Sequence, residues 1–360
     1  MQDLTRRGGF DTLRLIAALM VFHSHSFAIG ALPAPQLPAF TYGSAAVIMF
    51  FAMSGYWVSR SALERSVASY ATARALRIVP GLFVCCLITI VLCALATSEK
   101  VGDYFRMADT WRWLENAFPL VVPQRNMLPG VFEDGVGSHP NGSLWTLPME
   151  VLCYVAAGVA ARFGKRGMKL AAAVVGLLAT GVVAGRLGVG NMTFFRPMDR
   201  LWLALFAGAF FLGASLHPVG NRALVIAAGA ALAWLLVWPH SLVAGYGVGV
   251  ALYGCLAIWV GRNLDLDRYV TRGHDISYGV YIYAFPLEQL SVRIFEPHDR
   301  LGFALYWGSA LAATLVLASL SWVLVERPAL RLKAPLARLI DQAIGRPLAA
   351  IGLKPNRRPA

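Results

Sequence analysis

The residues of this chain that could do chemistry are concentrated in one apolar segment near its start. Residues 11–30 are apolar enough to cross a bilayer, yet they include Asp11, Arg14, His23 and His25. Ionisable groups are costly in lipid, so each one is a functional candidate. At 100° per residue, Asp11, Arg14 and His25 share one helical stripe, whereas His23 lies on the face opposite Arg14. This phase favours His25 over His23 as a general base.

The depth of His25 in the membrane supports the same choice. It lies eleven residues after Arg14, which is a rise of about 16 Å in a helix. Arg14 is then expected near the cytoplasmic boundary and His25 in the outer half of the membrane. A neutral imidazole that a polar cavity reaches can take a proton from a hydroxyl near neutral pH. The alternative is a histidine that hydrogen-bonds one helix to another.

A second group of charges precedes the third apolar run. Arg74 and Arg77 are three residues apart, so they share one face of a helix at the predicted cytoplasmic surface. Arginine offers planar, bidentate donors that suit a phosphate. The alternative is the ordinary excess of positive charge in cytoplasmic loops.

A carboxylate enters the fourth apolar run from the preceding loop. The segment from Asn141 to Glu150 reads NGSLWTLPME and places Glu150 one or two turns into a predicted helix. Glu150 could orient a catalytic base, or it could form a structural pair with a buried Arg or His. Asp11 is the other carboxylate that could orient His25, and the sequence leaves both open.

The composition shows which elements must position these residues. Of 360 residues, 58% are hydrophobic and 14% are charged, whereas soluble domains are about 45–50% apolar and 25% charged. Runs near the roughly 20 residues needed to cross a bilayer recur along the whole chain. We therefore predict an all-α, polytopic bundle of about ten transmembrane helices. The predicted spans are residues 11–30, 42–59, 78–96, 144–161, 168–186, 200–216, 222–238, 241–260, 275–294 and 303–325.

The placement of charge gives the topology and excludes several partners. Although the net charge is +13, the basic residues gather in short loops beside apolar runs, which predicts that both termini are cytoplasmic. No nucleic-acid-binding module is visible, and the five cysteines lie in apolar runs without metal-site spacing, so we expect neither nucleic acid nor a metal. We predict a membrane domain over residues 1–330, with a non-cytoplasmic loop at 97–142, and a basic cytoplasmic tail at 331–360.

The ordered set of motifs resembles the acyltransferase 3 family of integral membrane acyltransferases. Each motif is weak alone, but together they follow the family's order over about residues 8–330. The matching segments are Asp11-x-x-Arg14 followed by His25, Phe50-Phe51-x-x-Ser54-Gly55-Tyr56, Arg74-x-x-Arg77-Ile78-x-Pro80, Ser143-Leu144-Trp145-Thr146-Leu147-x-x-Glu150, Ser277-Tyr278-x-x-Tyr281 and Glu326-Arg327-Pro328.

The resemblance implies transfer of an acyl group, usually acetyl, from acyl-coenzyme A to a hydroxyl of a glycan or lipid-linked sugar. It implies that His25 is the essential histidine and that Arg14, Arg74 and Arg77 serve donor binding or the active cavity. We expect no permanently bound cofactor and a place in the bacterial inner membrane. The expected acceptors are exopolysaccharide or lipopolysaccharide, with polysaccharide assembly proteins as further partners. Acceptor contacts are assigned to Ser143, Trp145 and Tyr281.

Two features depart from the family pattern, and two other function classes remain open. Many members carry a histidine where this chain has Ala284, so no second histidine role is transferred there. No appended esterase-like domain is expected after the last span. The main alternative is a transporter that uses Arg14, His25 and Glu150 as a proton or anion relay, although no inverted repeat stands out. A weaker alternative is a scaffold in polysaccharide assembly.

Overall fold

The computed structural model describes residues 8–120, 124–133, 139–183, 197–238 and 242–350, and these are almost entirely helical. The two-residue strands β1 (Gln36–Leu37) and β2 (Phe40–Thr41) pair antiparallel and form the one sheet within those ranges. The predicted all-α architecture is confirmed. The helices are α1 (Phe10–Ile29), α2 (Tyr42–Glu64), α3 (Val67–Cys93), α4 (Val101–Arg106), α5 (Ala108–Arg112), α6 (Leu147–Arg162), α7 (Gly164–Val183), α8 (Pro197–Ser215), α9 (Asn221–Val237), α10 (Leu242–Asn263), α11 (Ser277–Phe295), α12 (Arg300–Ser321), α13 (Arg327–Arg331) and α14 (Lys333–Ala350).

Several of these helices have the length and composition of membrane spans. Each predicted span overlaps one long helix, with ends that differ by a few residues in most cases. The number of crossings and the side on which each terminus lies stay predictions. Six helical segments of the described chain are long and apolar enough to cross a membrane: Phe10–Ile29, Tyr42–Glu64, Val67–Cys93, Leu144–Arg162, Ala244–Asn263 and Arg300–Ala343.

Helix α3 begins eleven residues before its predicted start. Ser66 is its N-cap, and the Ser66 hydroxyl oxygen accepts a hydrogen bond from the backbone N–H of Ser69, which supplies a partner that the first turn lacks. Arg74 and Arg77 therefore lie in the second and third turns of a long helix, not in a separate segment before it. Pro80 lies inside the helix, where the sequence predicted a helix start.

Glycines allow a close contact between α2 and α8. A Cβ atom on Gly55 would lie 1.8 Å from the carbonyl oxygen of Phe210, and one on Gly213 would lie 2.0 Å from that of Ala52. The two backbones are therefore in direct contact, a packing mode that membrane helices use because lipid provides no hydrophobic drive for their association.

Helices α1, α11 and α12 meet in regular layers. Helices α1 and α11 run in the same direction while α12 runs in the opposite one, and contacts recur every four residues along α1 and α11. This repeat fixes the rotation and the depth of α1 against α11, and hence the position of the C-terminal end of α1, which carries His25. We call that end of the bundle the outer end, and the end with the N-terminus of α1 the inner end. From the inner end outward, the layers are Ala18–Val280–Ala318, Phe22–Ala284–Ala310 and Ser26–Glu288–Tyr306.

Candidate functional site

Four charged side chains meet at the inner ends of the helices. Arg77 contacts Asp275 at 2.6 Å and Glu326 at 3.8 Å, while Arg14 lies 3.7 Å from the same Asp275 oxygen. Glu326 is 2% exposed and the side chain of Arg77 is 18% exposed. Two guanidinium groups thus face two carboxyl groups, so the formal charges of the cluster balance. We call these four residues the inner ion cluster.

Local backbone features bring the two carboxylates to the inner ion cluster. Asp275 lies just before α11, where its Oδ1 accepts hydrogen bonds from the hydroxyl and the backbone N–H of Ser277. Glu326 ends a π-helical turn, Trp322–Glu326. That wider turn places residues five apart next to each other, so the Ser321 hydroxyl can donate to Glu326 at 3.0 Å.

Arg74 has different surroundings from Arg77, although both lie on one side of α3. Its guanidinium carbon is 5.6 Å from the centre of the Tyr154 ring. Its Nε is buried, with no hydrogen-bond partner among the described residues, and no ion pair joins it to a described carboxylate. An anion would meet donor groups of Arg74 that are not yet used, whereas Arg77 is already neutralised.

Glu150 belongs to a polar cluster with α2. Its Oε1 accepts hydrogen bonds from the hydroxyls of Ser54, at 3.1 Å, and Tyr154. Those two hydroxyls also lie 3.1 Å apart, and the carbonyl of Tyr154 accepts a hydrogen bond from Tyr70 at 2.7 Å. In the described chain, Glu150 is therefore engaged with hydroxyls near Arg74 and makes no hydrogen bond to His25.

His25 lies at the outer end of α1, against α11. Its ring meets that of Phe285 edge-on, with centroids 5.2 Å apart. Nδ1 is buried without a hydrogen-bond partner in the described structure, but the residue as a whole keeps intermediate exposure. The accessible part of His25 therefore does not include Nδ1.

The loop that enters α6 packs beside the same aromatic ring. A Cβ on Gly142 would lie 2.6 Å from the Phe285 ring, so glycine allows the backbone to approach there. Asn141 donates to the carbonyl of Ile282 at 2.8 Å, and its Oδ1 accepts from the backbone N–H of Ser143 at 3.1 Å. The loop that carries Ser143 therefore packs against the ring of Phe285, which also contacts His25.

The three predicted acceptor contacts fall into two places. Tyr281 donates to the carbonyl of Ser143 at 3.1 Å, and the Ser143 hydroxyl is buried without a partner in the described residues. Trp145 instead packs among the rings of Trp202 and Phe206 on α8, at 6.4 and 5.7 Å. The structure brings Ser143 and Tyr281 together and separates Trp145 from them.

Asp11 lies at the end of α1 opposite His25. It precedes His25 by fourteen residues on the same helix, about 21 Å along the axis, which is beyond hydrogen-bond reach. Asp267 caps this end by accepting from the backbone N–H groups of Asp11 at 3.2 Å and Thr12 at 2.7 Å. This geometry favours neither Asp11 nor Glu150 as the residue that orients His25.

Sequence reasoning missed two acidic residues and undervalued a third. Asp275 and Glu288 both fall within a predicted span, and the rule that marks intramembrane charges as functional candidates applies to them as much as to Arg14. From the sequence, Glu326 is recognised only as part of the motif Glu326-Arg327-Pro328. The contact between Glu326 and Arg77 depends on packing between distant segments, so the sequence motif alone does not predict it.

Comparisons with known proteins agree on one family. The sequence profile described as "Acyltransferase domain", of the acyltransferase 3 family, matches residues 7–324. An "O-acetyl transferase" of Shigella phage Sf6 is 31% identical over 346 residues, which cover 91% of this chain and 97% of that protein. "Nodulation protein 10" of Rhizobium leguminosarum bv. viciae is 26% identical over 359 residues, covering 92% and 95%. No solved structure is detectably similar.

Proposed function

Since the chain belongs to the acyltransferase 3 family and is a membrane O-acyltransferase, we propose that it moves an acetyl group from acetyl-coenzyme A to a sugar hydroxyl. The Shigella phage relative named as an O-acetyl transferase supports acetyl as the acyl group. The proposed acceptor is a cell-surface or exported polysaccharide, or a lipid-linked sugar, and the proposed location is the bacterial inner membrane.

The donor enters from the cytoplasmic side and binds Arg74. The buried, unpartnered Nε of this residue supports the assignment, because guanidinium donors suit phosphate groups. Arg77 and Arg14 act there indirectly, since the inner ion cluster already satisfies their charge. They hold α1, α3 and α11 together around the donor, and the arm of coenzyme A extends outward between the helices.

His25 is the catalytic base in this proposal. It lies about 16 Å from Arg14 along α1, toward the outer end. Its imidazole takes the proton from the acceptor hydroxyl, and the resulting alkoxide oxygen attacks the thioester carbonyl carbon. The carbon–sulfur bond then breaks, and the thiolate of coenzyme A leaves with the proton that His25 returns. The products are the O-acetyl ester and the free thiol, with no net proton consumed. Ser143 and Tyr281 line the acceptor side of this position.

The observation that carries the proposal is the environment of His25. It is a partly accessible imidazole in a predicted span, with one buried nitrogen that no described group engages. A histidine that only joins two helices would be expected to show a hydrogen bond across the interface, and the contact of His25 with α11 is instead to the ring of Phe285.

The test compares His25→Ala with His23→Ala in membranes that contain the full chain. Acceptor-dependent thiol release from acetyl-coenzyme A should fall about 10²- to 10⁴-fold in His25→Ala, the usual contribution of a general base. It should stay near the wild-type rate in His23→Ala, because that ring packs against Phe27 on another face of the helix. Mass spectrometry of the surface glycan, with and without the gene, identifies the acyl group.

The same assay separates the enzyme from a transporter. A carrier that uses Arg14, His25 and Glu150 as a relay releases no thiol from acetyl-coenzyme A under any acceptor condition. Wild-type acetylation of the glycan by His25→Ala would reject the assigned base, and an unchanged glycan mass in the absence of the gene would reject the acceptor class.

A further inference from the structure

The outermost layer of the α1–α11–α12 interface contains a fully buried carboxyl group. Glu288, Ser26 and Tyr306 are each 0% exposed. Oε1 of Glu288 lies 2.5 Å from the hydroxyl oxygen of Ser26, whereas Oε2 is buried without a partner in the described residues. Tyr306 donates to the backbone carbonyl of Ser26 at 3.1 Å. Two helices thus hold the residue that directly follows His25.

Counting protons around Ser26 indicates the protonation state of Glu288. The hydroxyl oxygen of Ser26 is 2.5 Å from Oε1 of Glu288 and 3.1 Å from the carbonyl oxygen of Phe22. A hydroxyl has one hydrogen to donate and can accept further ones. If each contact has its own hydrogen, Ser26 donates to the Phe22 carbonyl and a protonated Glu288 donates to Ser26.

The surroundings provide no described cation for an ionised Glu288. At this end of the helices, α12 contributes Tyr306, and α1 contributes His23 and His25, whose rings contact aromatic rings. Arg293, further along α11, lies over the ring of Phe132 at 4.5 Å, and Arg300 is exposed. An unpaired buried carboxylate would be far more costly than a neutral acid at the same place.

We propose that Glu288 is a positioning residue that acts as a neutral carboxylic acid and fixes the outer turn of α1, so that His25 keeps its place. Phe285 and Glu288 are one turn apart on α11, and they contact His25 and Ser26 respectively. Together they set both the rotation and the depth of the imidazole. The kinetic consequence rests on the proposed function, but the placement of His25 does not.

The test uses Glu288→Gln and Glu288→Ala in the full chain in membranes. Glutamine keeps a neutral donor for Ser26, so its kcat should stay within about threefold of wild type. Alanine removes the contact, and its kcat should fall about 10²-fold, with KM for acetyl-coenzyme A unchanged, because displacement of a catalytic group by about 1 Å has that effect. Wild-type activity in Glu288→Ala, or loss in Glu288→Gln as large as in Glu288→Ala, would overturn the proposal.

Two further measurements do not depend on acyl transfer. Modification of His25 by diethyl pyrocarbonate, mapped by mass spectrometry with His23 as the internal control, should rise in Glu288→Ala and stay at the wild-type level in Glu288→Gln. Infrared spectra of wild type at neutral pH should contain a carboxylic-acid C=O band that Glu288→Gln lacks. If thiol release is absent throughout while these two results hold, the proposed function fails and the positioning role stands. A missing acid band, or unchanged His25 modification in Glu288→Ala, refutes the role of Glu288 directly.

Discussion

The variants Arg74→Ala and Arg77→Ala should lose different properties, donor binding in the first and stability in the second. Both arginines belong to one motif, three residues apart on α3, so their sequence context is nearly the same. Arg77 pairs with Asp275 at 2.6 Å and lies 3.8 Å from Glu326. Arg74 contacts the Tyr154 ring, and its Nε has no partner in the described chain. We expect Arg74→Ala to weaken donor binding and Arg77→Ala to weaken the fold.

The size of each effect follows from these contacts. Removing Arg77 leaves the buried Glu326 without a cation and leaves Asp275 with Arg14 alone, at 3.7 Å. Breaking a buried pair in this way costs about 3–5 kcal/mol of unfolding free energy. A hydrogen bond from Arg74 to a charged phosphate contributes about 1.5–3 kcal/mol. At about 1.4 kcal/mol per tenfold, Arg74→Ala should raise KM for acetyl-coenzyme A about 10- to 100-fold.

The assay measures KM, kcat and the denaturation temperature for both variants in the same detergent. A partial rescue of Arg77→Ala by a second change, Glu326→Gln, serves as the control for charge, because it removes the carboxylate that loses its cation. Arg74→Ala with an unchanged KM and a large loss of stability would refute the separation of roles. So would Arg77→Ala with wild-type stability and a raised KM.

Two other predictions concern stability. Gly55→Ala should lower the unfolding free energy by at least about 1–3 kcal/mol, because the new Cβ would lie 1.8 Å from the Phe210 carbonyl oxygen. Gly102→Ala, with open space around its Cβ, should cause no loss of thermal stability, since alanine suits a helix at least as well as glycine does. Equal losses in the two variants would contradict the proposed backbone contact. Burial lowers the pKa of His217, which lies between α8 and α9 beside the carbonyl of Tyr56. The neutral form is favoured in the fold, so this stabilisation is present above the ordinary histidine pKa of about 6.5 and is lost as the pH falls through the lower folded value. Denaturation temperatures measured against pH should show a weaker acid-side decline in His217→Gln, and an identical decline would reject this cause.

Much of the architecture could be predicted because hydropathy and helical phase are local properties. The predicted spans overlap long helices, and the phase calculation correctly separated His23 from His25, whose rings contact different neighbours. The start of α3 could not be predicted in this way. Residues 67–77 contain two arginines and are less apolar, so a membrane-span criterion excludes them, although their backbone continues the same helix from the cap at Ser66.

The partners of the charged residues could not be predicted, because they depend on packing between distant segments. Arg77 and Asp275 are 198 positions apart, and no periodicity within α3 points to that contact. Trp145 and Ser143 illustrate the same limit at short range. They are neighbours in one motif, yet a short helical turn sends Trp145 toward α8 while Ser143 stays beside Tyr281.

The four-residue repeat between α1 and α11 has a consequence for how the chain can vary in length. Substitutions within a layer change one contact, but an insertion between Arg14 and His25 would rotate the rest of α1 by 100° and lengthen it by 1.5 Å. Ser26 would then leave Glu288 at the same time as His25 leaves Phe285, while Arg14 stayed beside Asp275. Relatives that use this interface should therefore tolerate changes of residue type in this segment but no change in the number of residues between the arginine and the histidine.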